Sequence, residues 1–219
     1  MKTRYLLVAD SLEDLNPRFD LGVCLSTELL ARGISVDYLD LPATDPDQPS
    51  EAYLTALPVR EVLSSDARRV PFWELGPERI ADVTEYRVIL QRKDPPVDDG
   101  FISRTRHFES APEKIVQINR PPATYELSEH TTALRYPEFA APTSVCTSLE
   151  EVEEAVRSTA GAVGLTPEHT AGGSGGTVVD ATESKPAGRT AGEPGQPHLI
   201  VQPYRDASVA AGDLRSLSV

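Results

Sequence analysis

Cysteine and basic residues are scarce in this sequence of 219 residues. Its two cysteines, Cys24 and Cys146, lie far apart, so neither a disulfide framework nor a cysteine metal cage is expected. Only 21 lysines and arginines oppose 34 acidic residues, and the net charge of -13 argues against nucleic acid and anionic membrane surfaces as partners. No apolar run approaches the ~20 residues of a membrane span, and the run from Tyr5 to Ala9 is too short for a signal peptide. These absences predict a soluble, cytoplasmic protein.

Aromatic residues are few in the carboxyl-terminal part of the chain. Twelve of the 13 lie at or before Phe139, whereas nine of the 14 glycines lie between Ser158 and Pro197. Because aromatic side chains supply packing surface and glycine favours turns, we expect most of the core to come from the first part. Residues 159–198 are predicted to form a loop-rich segment.

The amino-terminal residues have the pattern of a βαβ unit. Arg4–Ala9 is a short apolar run typical of a buried parallel strand. Asp20 can cap a helix that runs to Arg32, and Gly33 supplies the left-handed residue that ends it. The second strand is predicted at 34–39. The helix is expected to bury a face made of Leu21, Cys24, Leu25 and Leu29.

Short apolar runs and helical patterns alternate through the rest of the chain. This alternation predicts an α/β fold with a parallel sheet. Ser148 and Glu151 form a capping box ahead of one helix. The predicted elements are a hairpin over 52–62 and 69–75, a strand at 88–91, a helix over 99–110, a strand at 115–118, a helix ending near residue 157, and late strands at 178–179 and 199–201.

Charged and polar side chains follow two of the predicted strands. Arg92 and Asp94 come directly after one strand, and Asn119 follows the next. Because ligands of open α/β sheets bind at the carboxyl ends of the strands, these residues are candidates for a binding site. The Arg92 fork suits a carboxylate, Asp94 can accept from an amine, and Asn119 can hydrogen-bond an amide or a carboxylate. A pair of solvated, proline-terminated turns is the simpler interpretation, and the sequence leaves both open.

A glycine-rich loop precedes the late strand at 178–179. It runs through Gly172, Gly173, Ser174 and Gly175. Its backbone N–H groups can face a phosphate, because no bulky side chain blocks the approach. The loop lacks the Gly-Lys-Ser/Thr of a P-loop, and a flexible linker is the commoner meaning of such a run. No metal site is predicted, because the four histidines are scattered without ligand spacing.

Taken together, these segments resemble the bacterial glutathione synthetases, which are ATP-grasp ligases. The most specific part of the likeness is the run from Val88 to Pro96, Val-Ile-Leu-Gln-Arg-Lys-Asp-Pro-Pro. The other matching segments are Ile118–Pro121, Ser128–His130 and Pro142–Thr143, with Asp10 and Asp20 in the amino-terminal βαβ unit.

The resemblance implies a Rossmann-like pre-ATP-grasp domain with a parallel sheet at residues 1–122 and an incomplete ATP-grasp domain at 123–219. In this family ATP, with Mg²⁺, phosphorylates the carboxylate of γ-glutamylcysteine, and the amine of glycine then displaces the phosphate. The implied substrate-binding residues are Asp20, Arg92, Asp94 and Asn119. The implied nucleotide-binding residues are Gly172, Gly173, Ser174, Gly175, Gln202 and Asp213, and the implied catalytic residue is Arg215.

Two positions depart from the family's pattern. The family has a lysine in an Asn-Glu-Lys segment where this chain has His130, and a second lysine before a strand-end proline where it has Thr166. The sequence stops at Val219, so the family's magnesium-binding acidic residues are expected to have no counterpart. Since each charge-assisted contact is worth roughly 1.5–3 kcal/mol, these losses are expected to weaken ATP binding by orders of magnitude.

Three hypotheses follow from the matches and departures. The first is a glutathione-synthetase-like protein that is catalytically impaired alone and retains a domain that binds a small peptide or amino acid. The alternative is an active ATP-dependent carboxylate–amine ligase that is completed by a second copy in a homo-oligomer or by another ATP-grasp chain. The third is a decaying reading frame with no selected activity.

Overall fold

The computed structural model describes residues 3–18, 20–41, 48–168, 170, 175–180 and 198–205. The chain divides into two compact units, Met1–Glu126 and Leu127–Val219. The first unit contains β1 (Arg4–Ala9), α1 (Leu21–Ala31), β2 (Ser35–Asp40), α2 (Ser50–Leu54), β3 (Leu57–Ser65), β4 (Trp73–Ala81), β5 (Val88–Arg92), α3 (Asp99–Thr105), β6 (Val116–Ile118) and α4 (Pro121–Glu126), with short 3-10 helices at Val83–Glu85 and Arg106–Ser110. The second contains α5 (Glu129–Thr132), a 3-10 helix at Ala133–Arg135, β7 (Ser144–Cys146), α6 (Leu149–Ser158), β8 (Ala162–Pro167), β9 (Thr177–Asp180) and β10 (Leu199–Pro203).

The first unit is built on a six-stranded sheet in the order β4-β3-β2-β1-β5-β6. β2, β1, β5 and β6 are parallel to one another, so the predicted α/β fold with parallel strands is confirmed for this part of the sheet. β3 pairs antiparallel with β2, and β4 pairs antiparallel with β3. The sheet is therefore mixed, because the short connection at 66–72 can join only antiparallel neighbours.

The predicted hairpin exists, but its arms lie later in the chain than 52–62 and 69–75. The arms are β3 and β4, and residues 50–54 form α2 instead of a strand. Tyr53 and Leu54 are both buried in one apolar cluster. Adjacent side chains of a strand point to opposite faces, whereas a helical turn can bury two neighbours on one side. The strand prediction at 52–54 was wrong for this reason.

Both faces of the central strands are buried. In β1, Leu6 and Val8 belong to one apolar cluster and Leu7 belongs to another, as the alternation of a strand requires. Val23 of α1 joins the Leu7 cluster, and Phe108 of the 3-10 helix at 106–110 joins the Leu6 cluster. This two-sided burial is the physical reason why near-continuous apolar runs predicted these strands.

Helix α1 begins and ends close to the predicted residues. Asp20 adopts an extended conformation, and its side chain accepts a hydrogen bond from the Val23 N–H at 3.0 Å. Gly33 has φ +75°, the left-handed conformation that stops the helix. The predicted cap and the predicted stop signal are both confirmed.

The face that α1 buries differs from the predicted one. Leu21 is half-exposed and Cys24 is exposed, whereas Gly22, Val23 and Ser26 are buried. A Cβ atom at Gly22 would lie 3.4 Å from a methyl carbon of Leu7. Because glycine lets the helix approach β1 closely, Gly22, Val23 and Ser26 are the buried residues. Leu25 and Leu29 of the predicted face pack against the same apolar cluster from partly buried positions, so the prediction is confirmed for these two leucines.

A buried carboxylate is fully partnered near the amino ends of β1 and β2. Asp37 has no exposed surface, and it accepts hydrogen bonds from Arg4 and Arg79, both at 2.6 Å, and from the Tyr86 hydroxyl at 2.8 Å. Burial, followed by the Asp37 charge, raises the pKa of Tyr86. Glu61 and Glu85 lie on the outer sides of the two arginines. This ion network links β1, β2 and β4.

The second unit contains a four-stranded antiparallel sheet in the order β7-β10-β8-β9. Ser148 caps α6 by accepting from the Glu151 N–H at 3.2 Å. The Glu151 carboxylate accepts from the Thr147 N–H at 2.7 Å, so the predicted box closes one residue earlier than expected. No helix among the described residues is long and apolar enough to cross a membrane.

Candidate functional site

Charged side chains gather at the carboxyl ends of β1, β2 and β5, which we call the carboxyl edge. Lys93, just after β5, forms an ion pair with Asp10, just after β1, and both side chains are largely buried. The second Asp10 oxygen accepts from the Asp94 N–H at 2.7 Å. Asp10 therefore holds the turn after β5 against the end of β1, and it fixes the position of the Asp94 backbone.

Three of the predicted substrate-binding residues share one electrostatic environment at this edge. Burial raises the pKa of Asp94, and the negative charges of Asp10 and Asp20 raise it further. The positive charges of Arg92 and Lys93 lower it. The charges of Asp20 and Arg92 therefore act on Asp94 in opposite directions.

Asp20 also serves the fold. It is 9 % exposed, and one of its oxygens caps α1 through the Val23 N–H. An ionised carboxylate offers about four acceptor positions, so one cap bond leaves capacity for a ligand donor.

Arg92 ends β5 with an unmet hydrogen-bonding requirement. Its Nε atom is buried and has no hydrogen-bond partner among the described residues. A guanidinium donates at five N–H positions and accepts at none, so the missing partner must be an acceptor. A carboxylate is the acceptor that matches the planar fork best.

Asp40 lies at the end of β2 on the same edge, and the sequence analysis did not single it out. Burial raises its pKa, as do the charges of Asp10 and Asp14, while a hydrogen bond from the Ser11 hydroxyl at 3.3 Å lowers it. Its position was a usable signal, because it follows an apolar parallel strand just as Asp10 follows β1.

Asn119 lies at the neighbouring strand end, but its amide is engaged by the protein. It adopts the left-handed conformation with φ 60°, which asparagine tolerates better than most residues. Its Nδ2 group donates to the backbone carbonyl of Gln91 at 3.0 Å. Asn119 therefore ties the end of β6 to β5.

A small cavity of about 40 Å³ opens beside Asn119 and Lys93. Gln91 lines this cavity, is 6 % exposed, and has no hydrogen-bond partner for either its Oε1 or its Nε2 among the described residues. Gln91 is not among the site residues predicted from the sequence, because it continues an apolar strand. A lone amide in such a run was the available signal. The remaining lining residues are Phe101, Thr105, Pro121 and Thr124.

The cavity and Arg92 lie on opposite faces of the sheet. Side chains alternate along a strand, so neighbouring residues of β5 point in opposite directions. Ile89 belongs to the Leu6 cluster and Leu90 to the Leu7 cluster, which places Gln91 on the first face and Arg92 on the second. One strand end therefore presents an amide to one face and a guanidinium to the other.

All six predicted nucleotide-binding residues belong to the second unit, and the structure describes two of them, Gly175 and Gln202. Gly175 has φ +73°, and a Cβ there would lie 3.3 Å from the Pro167 ring, so glycine is required at this turn. The Gln202 amide donates to the Thr143 hydroxyl at 2.8 Å. The other predicted positions lie outside the described residues: Gly172, Gly173, Ser174, Asp213 and Arg215.

The described part of the second unit does not fit a magnesium-bound triphosphate. Thr166 lies near the end of β8, and the next carboxylate, Glu168, pairs with His198. The Ser128 hydroxyl donates to the Glu168 carbonyl at 3.0 Å. In the described ranges, no group of three or more His, Cys, Asp or Glu side chains is arranged to hold a metal ion. We therefore derive no catalytic step through ATP.

Comparison with solved structures defines the class of fold. A RimK domain ATP-grasp protein from Sphaerobacter thermophilus superposes with a TM-score of 0.52 at 17 % identity, covering 93 % of this chain and 64 % of its own. D-alanyl-alanine synthetase A from Vibrio cholerae gives a TM-score of 0.52 at 13 % identity, covering 92 % and 59 %. The chain has the α/β fold of ATP-grasp ligases.

Sequence comparison narrows the class to one family. The family model described as prokaryotic glutathione synthetase, N-terminal domain, matches residues 3–124. Glutathione synthetase from Pseudomonas putida is 29 % identical over 146 residues, which cover 66 % of this chain and 44 % of that protein. The enzyme from Rhodopseudomonas palustris is 26 % identical over 173 residues, covering 79 % and 53 %. The chain spans about half the length of these relatives, and it belongs to the prokaryotic glutathione synthetase family.

Proposed function

We propose that this glutathione synthetase-like protein binds a small peptide or amino acid at the carboxyl edge and does not catalyse ligation alone. The observation that carries the proposal is the buried Nε of Arg92, which has no hydrogen-bond partner in the described part of the chain. A buried donor without an acceptor costs free energy, so its persistence favours a role in binding. γ-Glutamylcysteine, the substrate that the family resemblance implies, offers both carboxylates and an amine.

The proposed contacts divide by charge. Arg92 binds a ligand carboxylate through its guanidinium fork. Asp94 accepts from the ligand ammonium group, whose positive charge relieves the repulsion that Asp10 and Asp20 exert on Asp94. Asn119 positions the strand end.

The proposed catalytic impairment concerns the second unit. The family resemblance implies use of ATP and Mg²⁺, and the same resemblance assigns His130 and Thr166 to the positions of the family's two phosphate-binding lysines. Phosphoryl transfer depends on positioning and on charge neutralisation, so a site without those cations is expected to transfer phosphate poorly.

Completion by a partner chain is a second candidate function. The observation that favours it is the fold match, which extends over 93 % of the chain and so includes most of the second unit. In this case, a second copy or another ATP-grasp chain supplies phosphate-binding cations and acidic residues, and the assembly acts as a carboxylate–amine ligase.

Calorimetric titration of the purified chain tests the binding proposal. We expect γ-glutamylcysteine to bind, and Arg92→Met to weaken binding by roughly 10-fold to 100-fold, the range of a lost charge-assisted hydrogen bond. Arg87→Met is the matched control, because Arg87 is exposed just before the other end of β5. Equal affinities for wild type and Arg92→Met would refute the assigned role of Arg92.

Phosphate release with Mg·ATP, γ-glutamylcysteine and glycine tests the impairment. No release by the isolated chain is the expected result, and turnover comparable with a full-length glutathione synthetase would refute it. Turnover that appears only after a second ATP-grasp chain is added would favour completion by a partner.

A further inference from the structure

We propose that the cavity beside Gln91 is a subsite for an uncharged amide group, such as the peptide bond of the ligand. This inference deepens the proposed peptide-binding function and rests on it for the identity of the natural ligand. It does not rest on Arg92, which adjoins Gln91 in sequence but lies on the opposite face of the sheet, nor on Asp94, which does not line the cavity.

The cavity contains one polar side chain that the fold leaves unused. Gln91 is only 6 % exposed, and neither Oε1 nor Nε2 of its amide has a hydrogen-bond partner among the described residues. Leaving a buried donor and a buried acceptor unmet is costly, and native proteins rarely do so without a reason.

The other polar groups that line the cavity are engaged with the protein. The Thr105 hydroxyl donates to the Phe101 carbonyl at 2.9 Å and pairs with the Tyr125 hydroxyl at 2.6 Å. The Thr124 hydroxyl donates to the Pro121 carbonyl at 2.7 Å. Asn119 and Lys93 are engaged as well, with the Gln91 carbonyl and with Asp10. Gln91 is the lining side chain for which neither polar atom has a partner among the described residues, so we assign the selection of the ligand group to it.

The chemistry of that group follows from the Gln91 amide. A partner must donate to Oε1 and accept from Nε2, which a peptide or carboxamide group does with its N–H and C=O. A carboxylate only accepts and would leave Oε1 facing negative charge. The Lys93 charge is already balanced by Asp10, so the cavity has no uncompensated cation to attract an anion.

The size and walls of the cavity agree with such a group. A volume of about 40 Å³ is several times the roughly 10–15 Å³ that a single water needs. Phe101 and Pro121 contribute apolar walls, which suit the flat faces of an amide and leave its edge to Gln91.

Small probes test the subsite independently of the natural ligand. We would titrate the ¹⁵N-labelled full chain with N-methylacetamide and with methyl acetate, following the Gln91 side-chain NH₂ and the backbone amide of Thr124 by NMR. Methyl acetate has the same shape but no N–H donor. We expect saturable shifts with N-methylacetamide and binding weaker by roughly threefold to tenfold with methyl acetate, the effect of one hydrogen bond.

Two variants make the test specific. Gln91→Met keeps the length of the side chain and removes both polar atoms, and we expect it to abolish the preference for N-methylacetamide at the Thr124 signal. Gln117→Met is the matched control, because Gln117 lies on β6 and is not among the residues that line the cavity. We expect Gln117→Met to retain the preference, and melting curves of both variants check that they fold.

Each outcome decides between the two proposals. Non-saturable shifts with both probes would mean that the cavity takes only water, and an unchanged preference in Gln91→Met would mean that Gln91 does not select the ligand; either result overturns the subsite. Probe binding without γ-glutamylcysteine binding would keep the subsite and reject the proposed function. If Gln91→Met binds γ-glutamylcysteine as tightly as wild type does, and neither probe binds, the subsite is rejected and the proposed function is kept.

Discussion

Two ends of the same sheet treat buried polar groups in opposite ways. Near the amino ends of the parallel strands, the buried Asp37 carboxylate accepts hydrogen bonds from three side chains. At the carboxyl edge, Gln91 and Arg92 contain buried nitrogen or oxygen atoms that no described residue satisfies. The first arrangement stabilises the fold, and the second lowers stability in a way that a ligand can reverse.

The largest expected effect comes from breaking the satisfied end. Asp37→Ala leaves Arg4 and Arg79 without their shared partner, and we expect it to lower the free energy of unfolding by about 3–5 kcal/mol. Urea denaturation followed by circular dichroism measures the change. Glu28→Ala is the control, since it breaks an exposed ion pair with Arg32 and should cost less than about 0.5 kcal/mol. Similar losses in the two variants would contradict the comparison.

Removing a polar side chain at the carboxyl edge should raise the free energy of unfolding instead of lowering it. Gln91→Met replaces an unsatisfied buried amide with an apolar chain of similar length, and we expect it to raise the free energy of unfolding by about 1–3 kcal/mol. Gln117→Met should change it by less than about 1 kcal/mol, because the substitution removes the hydrogen bond that the Gln117 amide donates to the Phe108 carbonyl at 2.9 Å and also removes a buried Oε1 that no described residue satisfies. Destabilisation by Gln91→Met would show that Gln91 is already satisfied within the protein.

Two substitutions of Asp20 can distinguish its structural role as a helix cap from its electrostatic role at the proposed binding site. Asp20→Ala removes the cap of α1 and should cost about 1 kcal/mol. Asp20→Asn keeps a good capping residue while it removes the charge, so stability should change by less than about 0.5 kcal/mol. The pKa of Asp94 should then fall, because one of the charges that raise it is gone. NMR titration of the Asp94 carboxyl would measure the shift, and an unchanged pKa would mean that Asp20 does not act on it.

The smallest predicted effect is a pH dependence at His107. Burial, aided by the Arg106 charge, lowers the pKa of His107 below its ordinary value of 6.5. As pH falls below 6.5 the unfolded chain takes up this proton first, so the free energy of unfolding should decline until the lower folded pKa is reached, and His107 should contribute no pH dependence above 6.5. His107→Gln should remove this component when denaturation curves at several pH values are compared with wild type. Parallel profiles for the two proteins would contradict the prediction.

The positions of helices and strands along the chain were predictable from the sequence where one local physical rule determines them. An apolar run that ends in Arg92 and proline marks a buried parallel strand, and the structure places Arg92 at the end of β5. Asp20 and Gly33 mark the ends of α1, since caps depend on residues that are close in sequence.

Features that depend on distant residues were not predictable from the sequence. The buried face of α1 depends on how closely Gly22 approaches Leu7, which no local pattern records. The absence of partners for Gln91 depends on Thr105, Thr124 and Asn119 being engaged elsewhere. A strand pattern predicts where Gln91 lies but not which neighbours remain to satisfy it. Roles for Gly172, Asp213 and Arg215 in nucleotide binding and catalysis stay predictions.

The alternation of β5 makes the length of this strand as important as its composition. Gln91 pairs with Val8 and Arg92 with Ala9 in the parallel register with β1. Inserting or deleting one residue within β5 would move the amide to the Arg92 face and the guanidinium into the cavity. Residues 91 and 92 can be substituted independently, because their side chains lie on opposite faces of the sheet. A one-residue insertion or deletion, in contrast, exchanges the polar groups of both faces at once.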